Sequence, residues 1–395
     1  MAVCEPRFRL VLFDEKNFLN RLLSAICVAK NEKPFTTMKI TRVKCWQANL
    51  QLTKPYTIAV HTIDSAENIF VYLELENGEY GLGCGAPTEF ITGETMAAAL
   101  ESLEGNAEAL LLGRDLSDFR DLIRSAEELM PETPAARAAL DIALYDAFGK
   151  MAGKPLVELL GRKHESFPTS ITIGIKSVEA SIAEAQENVA KGFRVIKLKT
   201  GLEVEKDIET FRKMREAVGK HIKIRVDANQ GYDVAALERF VQGTQGLEVE
   251  FIEQPFPPGH LEAMMQLAPD IRKSCAADED LHDWRDAAAL TTNGNYYGIF
   301  NIKLAKCGGI QGGLQIAEIA QSKGIDLMWG CMDESTVSIT AALHAALASP
   351  TTRYLDLDGS FDLAVDLATG GFILRDGHLY TNDRPGLGVE LTERP

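Results

Sequence analysis

Between residues 38 and 90 apolar and polar positions alternate, as in "KITRVKCWQANLQL" and "NIFVYLELENGEYGLGCG". That period of two predicts antiparallel strands, with "ENGE" as the hairpin turn. The period then lengthens. "GETMAAALESLEGNAEALLLG", "DLSDFRDLIRSAEELM" and "TPAARAALDIALYDAFGKMAG" carry apolar residues three and four apart, which predicts helices. From about residue 168 the texture changes to short apolar strands separated by helical segments. The strands are "TSITIGI", "RVIKLKTG", "IKIRVDAN", "VEFIEQPF", "SCAADED", "GIFNIKLAK", "IDLMWGCM" and "RYLDLDG". Eight β units, mostly followed by helices, predict a closed parallel α/β barrel of the TIM type rather than an open sheet. The tail "GGFILRDGHLYTNDRPGLGVEL" returns to a hairpin pattern. The expected organisation is an extension over 1–37, an α+β domain over 38–165, the barrel over 166–362, and a segment over 363–395 that completes the first domain.

The totals narrow the setting. A chain of 395 residues suits a barrel with an accessory domain. A formal net charge of −16 argues against a nucleic-acid partner or an anionic membrane surface, both of which need basic patches. No apolar run approaches the roughly 20 residues that span a bilayer. The seven cysteines are scattered without a CxxC pair, the pattern of reduced, mostly buried thiols in a cytoplasm. Within 1–37, "RFRLVLFDEKNFLNRLLSAICVAKNEK" has acids on both sides of its apolar part, wrong for a secretory signal. Met38 opens the first convincing strand, so 1–37 reads as an added extension or the product of an upstream start codon.

Candidate chemistry comes from the strand ends. In a parallel barrel the active site lies at the C-terminal ends of the strands. Those ends carry Lys197 and Lys199, then Asp227, Glu253, Asp278 and Lys303, and finally Asp356 and Asp358. From Lys199 onward the spacings to Asp227, Glu253, Asp278 and Lys303 are 28, 26, 25 and 25, each about one βα unit. One acid at a strand end is an ordinary helix cap. Three in succession, flanked by lysines, form a ring. Three converging carboxylates cannot all stay ionised without a cation, and hard oxygen ligands with room for water suit Mg²⁺. Asp227, Glu253 and Asp278 are therefore the expected metal ligands. A plain salt-bridge network would leave lysines on two opposite sides of the mouth unexplained. Lys197 and Lys199 share one face of their strand, and a like charge beside a lysine lowers its pKa toward that of a usable base. Opposed bases around a metal that can chelate a carboxylate imply abstraction of an α-proton, an enediolate stabilised by the metal, and return of a proton on the other face. That is a 1,1-proton transfer, racemisation or epimerisation.

Taken together, "IKLKTG", "VDANQGY", "EQPF", "ADED" and "NIKLAKCGG" resemble the enolase superfamily in its muconate-lactonizing-enzyme subgroup, from about residue 38 to the end of the chain. Sites of that superfamily pair a Lys or His base with Mg²⁺. The resemblance implies a capping domain built from both chain ends and a modified (β/α)7β barrel lacking its last helix. It implies that Lys199 and Lys303 are the acid/base pair, with Lys306 structural. The D-x-D pair of "YLDLDG", Asp356 and Asp358, resembles the mark of dipeptide epimerases. Two carboxylates there would seat a substrate's free α-ammonium, although "DLDG" also reads as a turn. "LTKPYTIAVHT", "FITGETM" and "GCMDEST" are similar to the same group, and Thr172 matches a substrate-contacting barrel position.

The side-chain preference is less legible. Relatives acting on Ala-Glu often carry a cap-loop arginine where this chain has His61, a weaker partner for a carboxylate. Asp333 and Glu334 fall near the mouth, and either of them facing the substrate would favour a cationic side chain. His260 and His282 read as ordinary loop or helix histidines. The expected activity is Mg²⁺-dependent inversion of the C-terminal residue of an L,L-dipeptide. The alternatives are a cycloisomerase, an o-succinylbenzoate synthase-type lyase, an N-acylamino-acid racemase, or a silent barrel that only binds. An acid-sugar dehydratase would place histidine where Lys303 stands. Relatives are often multimeric, so a homo-oligomer is part of the expectation.

Overall fold

The computed structural model describes residues 37–59 and 61–395. The extension expected over 1–37 thus lies, but for its last residue, outside the described residues. Three strands, Ile40–Asn49, Glu67–Leu75 and Tyr80–Gly85, pair antiparallel in that order, the last two joined through the expected "ENGE" turn. Helices Met96–Leu111, Phe119–Leu129 and Pro134–Met151 follow. The third is buried around most of its circumference, as a helix apolar on all sides must be. One face lies on the strand Tyr80–Gly85. Its other side meets barrel helices Leu304–Cys307 and Ile310–Lys323.

The eight barrel strands are Ser170–Ile173, Val195–Lys199, Lys223–Asp227, Val249–Glu253, Cys275–Ala277, Ile299–Ile302, Asp326–Trp329 and Thr352–Leu355. Each pairs parallel with the next in sequence. A parallel bridge between Thr169 and Leu355 closes the ring from the eighth strand back to the first. Helices follow the first seven strands. After the eighth the chain runs into hairpin strands instead, the (β/α)7β pattern.

Polarity inside the barrel rises along the strands. Phe251, Ala276, Ile299, Met328 and the partly buried Tyr354 pack as an apolar layer. Two residues further on, on the same inward face, stand Glu253, Asp278, Asn301 and Asp356. Among the described residues, the acids of this inward face thus gather at the C-terminal ends of the strands, where a parallel barrel places its active site.

Both chain ends meet around the cap. Tail strand His378–Thr381 pairs with Phe167–Pro168 just before the barrel, and Leu391 N–H donates to the Tyr80 hydroxyl of the cap sheet at 3.3 Å. Asp146, buried on the third cap helix, accepts from Leu82 N–H at 3.0 Å and from Leu387 N–H at 2.9 Å. One carboxylate therefore ties sheet, helix and tail. The five described cysteines are free, with Cys84, Cys275 and Cys307 buried. No helix among the described residues is long and apolar enough to cross a membrane.

Candidate active site

Strand register brings the first three groups level: Lys199 pairs with Asp227, and Asp227 with Glu253. Lys199 Nζ donates to Asp227 Oδ2 at 2.7 Å. Lys197, 3% exposed, sits deeper among three acids, 3.1 Å from Asp227 Oδ2, 2.8 Å from Glu253 Oε2 and 2.7 Å from Asp356 Oδ2. On the opposite side of the ring Lys303 Nζ donates to Asp278 Oδ2 at 2.7 Å, and Lys306 Nζ donates to the carbonyl of the same residue at 2.6 Å and to its Oδ1. Lys199 and Lys303 are four strands apart in a ring of eight, so they face each other across the acids.

The electrostatics of the ring follow from burial and neighbours. Burial lifts the Glu253 carboxyl well above its ordinary value, and the charge of Asp227 adds to the effect. Burial opposes ionisation of Asp278 too, but Lys303 and Lys306 outweigh it and hold the carboxyl far down. Asp227 is held down in the same way by Lys199 and Lys197. Lys197 and Lys303, though buried, are pushed up, because carboxylates face each of them.

Among the described residues no three acids stand close enough to enclose an ion, because lysine ammoniums stand between them. Those ammoniums mark where positive charge belongs. The donor set, three carboxylates on adjacent strands, fits a hard divalent cation. Glu253 Oε2 makes no hydrogen bond, its contact with Lys197 being badly angled, so it has capacity left for one.

Asp356 turns inward. Its Oδ2 accepts from Lys197 and its Oδ1 from the Ser170 hydroxyl. Asp358 is half-buried at the mouth, where its Oδ2 accepts the Thr172 backbone N–H at 2.7 Å. Burial and the nearby Asp356 push its carboxyl up, the mark of an acid short of a cation. Asp333, also half-buried, accepts from the Tyr56 hydroxyl of the cap at 2.8 Å, and burial raises it to about 6. Glu334 beside it is buried and raised to about 7. His61 is exposed and lies against the Phe90 ring at 4.2 Å between centroids. The two therefore join cap segments to each other.

Several participants escaped the sequence reading. Asn301 Nδ2 donates to Glu253 Oε1 at 2.8 Å, and Gly330 makes room for it: a Cβ there would lie 2.4 Å from Asn301 Oδ1. The clue available was its place two residues before Lys303, on the same face of the sixth strand. The Gln254 side chain accepts from Asp278 N–H at 2.9 Å, fixing one acid-bearing strand end to the next. His282 Nε2 lies 3.1 Å from the Ile91 carbonyl and so bridges a barrel loop to the cap.

Comparison with known proteins agrees with this geometry. Residues 40–161 match the mandelate racemase/muconate lactonizing enzyme N-terminal domain, and residues 180–394 match the enolase C-terminal domain-like family. A Desulforapulum autotrophicum protein named L-Lys-D/L-Arg epimerase is 53% identical over 353 residues, 89% of this chain and 99% of its own length. The hydrophobic dipeptide epimerase of Enterococcus faecalis is 37% identical over 354 residues, 89% of this chain and 99% of its own. The crystal structure of the Methylococcus capsulatus dipeptide epimerase, complexed with Mg and the dipeptide L-Arg-D-Lys, superposes with a TM-score of 0.87. It is 50% identical, covering 89% of this chain and 99% of that one. Cap, barrel, lysine pair and acid ring all lie within the matched span, and the chain belongs to the mandelate racemase/muconate lactonizing enzyme family of the enolase superfamily.

Proposed function

We propose that this protein is a Mg²⁺-dependent dipeptide epimerase that inverts the α-carbon of the C-terminal residue and prefers cationic side chains. The observation that carries the reading is the opposition of Lys199 and Lys303 across Asp227, Glu253 and Asp278, with the half-buried Asp358 beside them. Asp227, Glu253 and Asp278 would hold the Mg²⁺. When bound, the ion supplies positive charge against a substrate carboxylate and so acidifies the neighbouring α-hydrogen. Lys303, which carboxylates keep protonated here, would be freer to exchange its proton once those carboxylates held a cation. Lys199 then takes or returns the α-proton on one face of the substrate and Lys303 does so on the other, which inverts the centre. Asp358 meets the free α-ammonium, and Asp356 backs it while anchoring Lys197. Lys197, held charged, donates to developing negative charge on the substrate carboxylate.

The cationic preference rests on Asp333 and Glu334, acids at the mouth that burial has left short of positive charge. The relatives named L-Lys-D/L-Arg epimerase, at 53% and 50% identity, support it. Mixed L,L-dipeptides incubated with enzyme and Mg²⁺ in D₂O provide the test, since each inversion exchanges the α-hydrogen. We expect mass gains of one unit confined to dipeptides carrying Lys or Arg. Gains in Glu-ended or apolar dipeptides instead would overturn the preference. No gain in any dipeptide would overturn the epimerase reading and direct attention to succinylated substrates.

A further inference from the structure

We propose that Asn229 and Glu279 form an outer ring of the metal site, holding water molecules of the ion's own coordination shell. This rests on the reading that Asp227, Glu253 and Asp278 bind Mg²⁺. Asn229 lies two residues past Asp227 and its backbone N–H donates to Asp227 Oδ1 at 2.9 Å. Glu279 directly follows Asp278. The two side chains meet across the ring: Glu279 Oε1 accepts from Gln230 Nε2 at 3.0 Å and lies 3.5 Å from Asn229 Nδ2. Both residues are buried, Asn229 at 4% exposure and Glu279 at 7%. Yet Asn229 Oδ1 and Glu279 Oε2 have no hydrogen-bond partner among the described residues.

A buried polar atom without a partner calls for a reason. Both orphaned atoms are acceptors, and both belong to residues next to the carboxylate ring. Mg²⁺ dehydrates reluctantly and keeps several waters. A water whose lone pair faces the ion can only donate outward, so it needs acceptors, and these two oxygens are acceptors of the required kind. The lysine ammoniums, which are donors only, cannot serve such waters. The turn is held in the left-handed region at two consecutive non-glycine residues, Asn229 at φ 39° and Gln230 at φ 71°. Both amides of that turn reach Glu279.

The test uses Mn²⁺ as the probe, with free ion measured by electron paramagnetic resonance during titration of the full chain. Outer-shell partners typically govern metal affinity tenfold to a hundredfold. Glu279→Gln, which keeps the shape but turns a donor toward the waters, should raise the Mn²⁺ dissociation constant by that factor. Thermal unfolding of the metal-free variant should show no loss of stability, because the oxygen replaced, Oε2, has no partner to lose and the acceptor facing Gln230 is kept. Asn229→Ala should weaken binding similarly, and Asn229→Asp, which keeps an acceptor, should restore it. Wild-type affinity in both Glu279→Gln and Asn229→Ala would overturn the outer ring while leaving the inner one intact. So would weaker binding accompanied by an equal loss of metal-free stability, since that is a folding effect. A wild-type chain that binds no Mn²⁺ would overturn the inner ligand set as well.

Discussion

At the scale of single residues, burial decides which charges survive and neighbours decide which way they lean. Lys197 keeps its charge at 3% exposure because three carboxylates surround it. His344 shows the opposite outcome. It is buried in the helix Thr336–Ala348, where its Nδ1 accepts the Val157 backbone N–H at 2.8 Å. Burial, helped by the charge of Arg162, pushes its pKa down from 6.5 to about 3. The sign follows. In the unfolded chain the imidazole takes up a proton as pH drops through 6.5, whereas in the fold it stays neutral until about 3. The stability it lends is therefore complete above pH 6.5 and is lost as pH falls toward 3, at about 1.4 kcal/mol per pH unit. Urea unfolding of wild type and of His344→Asn, which can still accept the Val157 N–H, should diverge in slope by about one proton between pH 6 and pH 4. Parallel slopes would mean that the acid sensitivity arises elsewhere.

At the scale of elements, the cap is set by backbone-to-backbone approach. "YGLGCG" places Gly81, Gly83 and Gly85 on one face of its strand, and the helix Pro134–Met151 sets Ala143, Ala139 and Ala135 opposite them. A Cβ at Gly83 would lie 1.8 Å from the Ala139 carbonyl oxygen, and at Gly81 or Gly85 it would lie 2.1 Å from the facing one. Gly83→Ala should therefore cost about 3 kcal/mol or more, since neither backbone can yield without unseating the helix. Chemical denaturation reads this directly, and a loss below about 1 kcal/mol would mean that the two elements separate easily. This scale was also the most legible in the sequence. Periods of two and of three to four marked the strands and helices, and a recurring βα unit aligned Lys199, Asp227, Glu253, Asp278 and Lys303 before any geometry was known. Contacts that cross elements left no such trace. Asn301 stands as one polar residue within "GIFNIKLAK" and Gln254 as one within "VEFIEQPF", with nothing to mark either, because an amide's role depends on a partner that only folding supplies. The orientation of Asp356 toward Lys197, 159 residues away in sequence, was hidden for the same reason.

At the scale of the whole molecule, the cap must close over a barrel mouth that it does not itself equip with catalytic groups. Its first hairpin, Tyr56–Thr57 paired with Thr62–Ile63, is fastened at two points. Ile175 N–H, just past the first barrel strand, donates to the Thr57 carbonyl at 2.8 Å. The Tyr56 hydroxyl donates to Asp333 Oδ2, beyond the seventh strand and 277 residues away in sequence. Asn68 of the cap sheet reinforces the second point by donating to the Asp333 carbonyl at 3.0 Å. Asp333 therefore receives the cap at two points, and under the proposed function closure and recognition of a cationic side chain would share its carboxylate. A hydrogen bond to a charged partner is worth about 1.5–3 kcal/mol. Removing it with Tyr56→Phe leaves the Asp333 carboxylate without its donor and loosens the hairpin over bound substrate. Lys199 and Lys303 hydrogen-bond to Asp227 and Asp278 rather than to Tyr56 or Asp333, so the chemical step itself should be largely preserved. The expected result is a KM for a cationic dipeptide raised about tenfold or more with kcat nearly unchanged, the signature of lost binding shared by ground and transition states. Steady-state kinetics across a substrate range would measure it. A fall in kcat at constant KM would show instead that the hairpin aligns the substrate against the lysines, and would move Tyr56 from the closing of the site to the reaction.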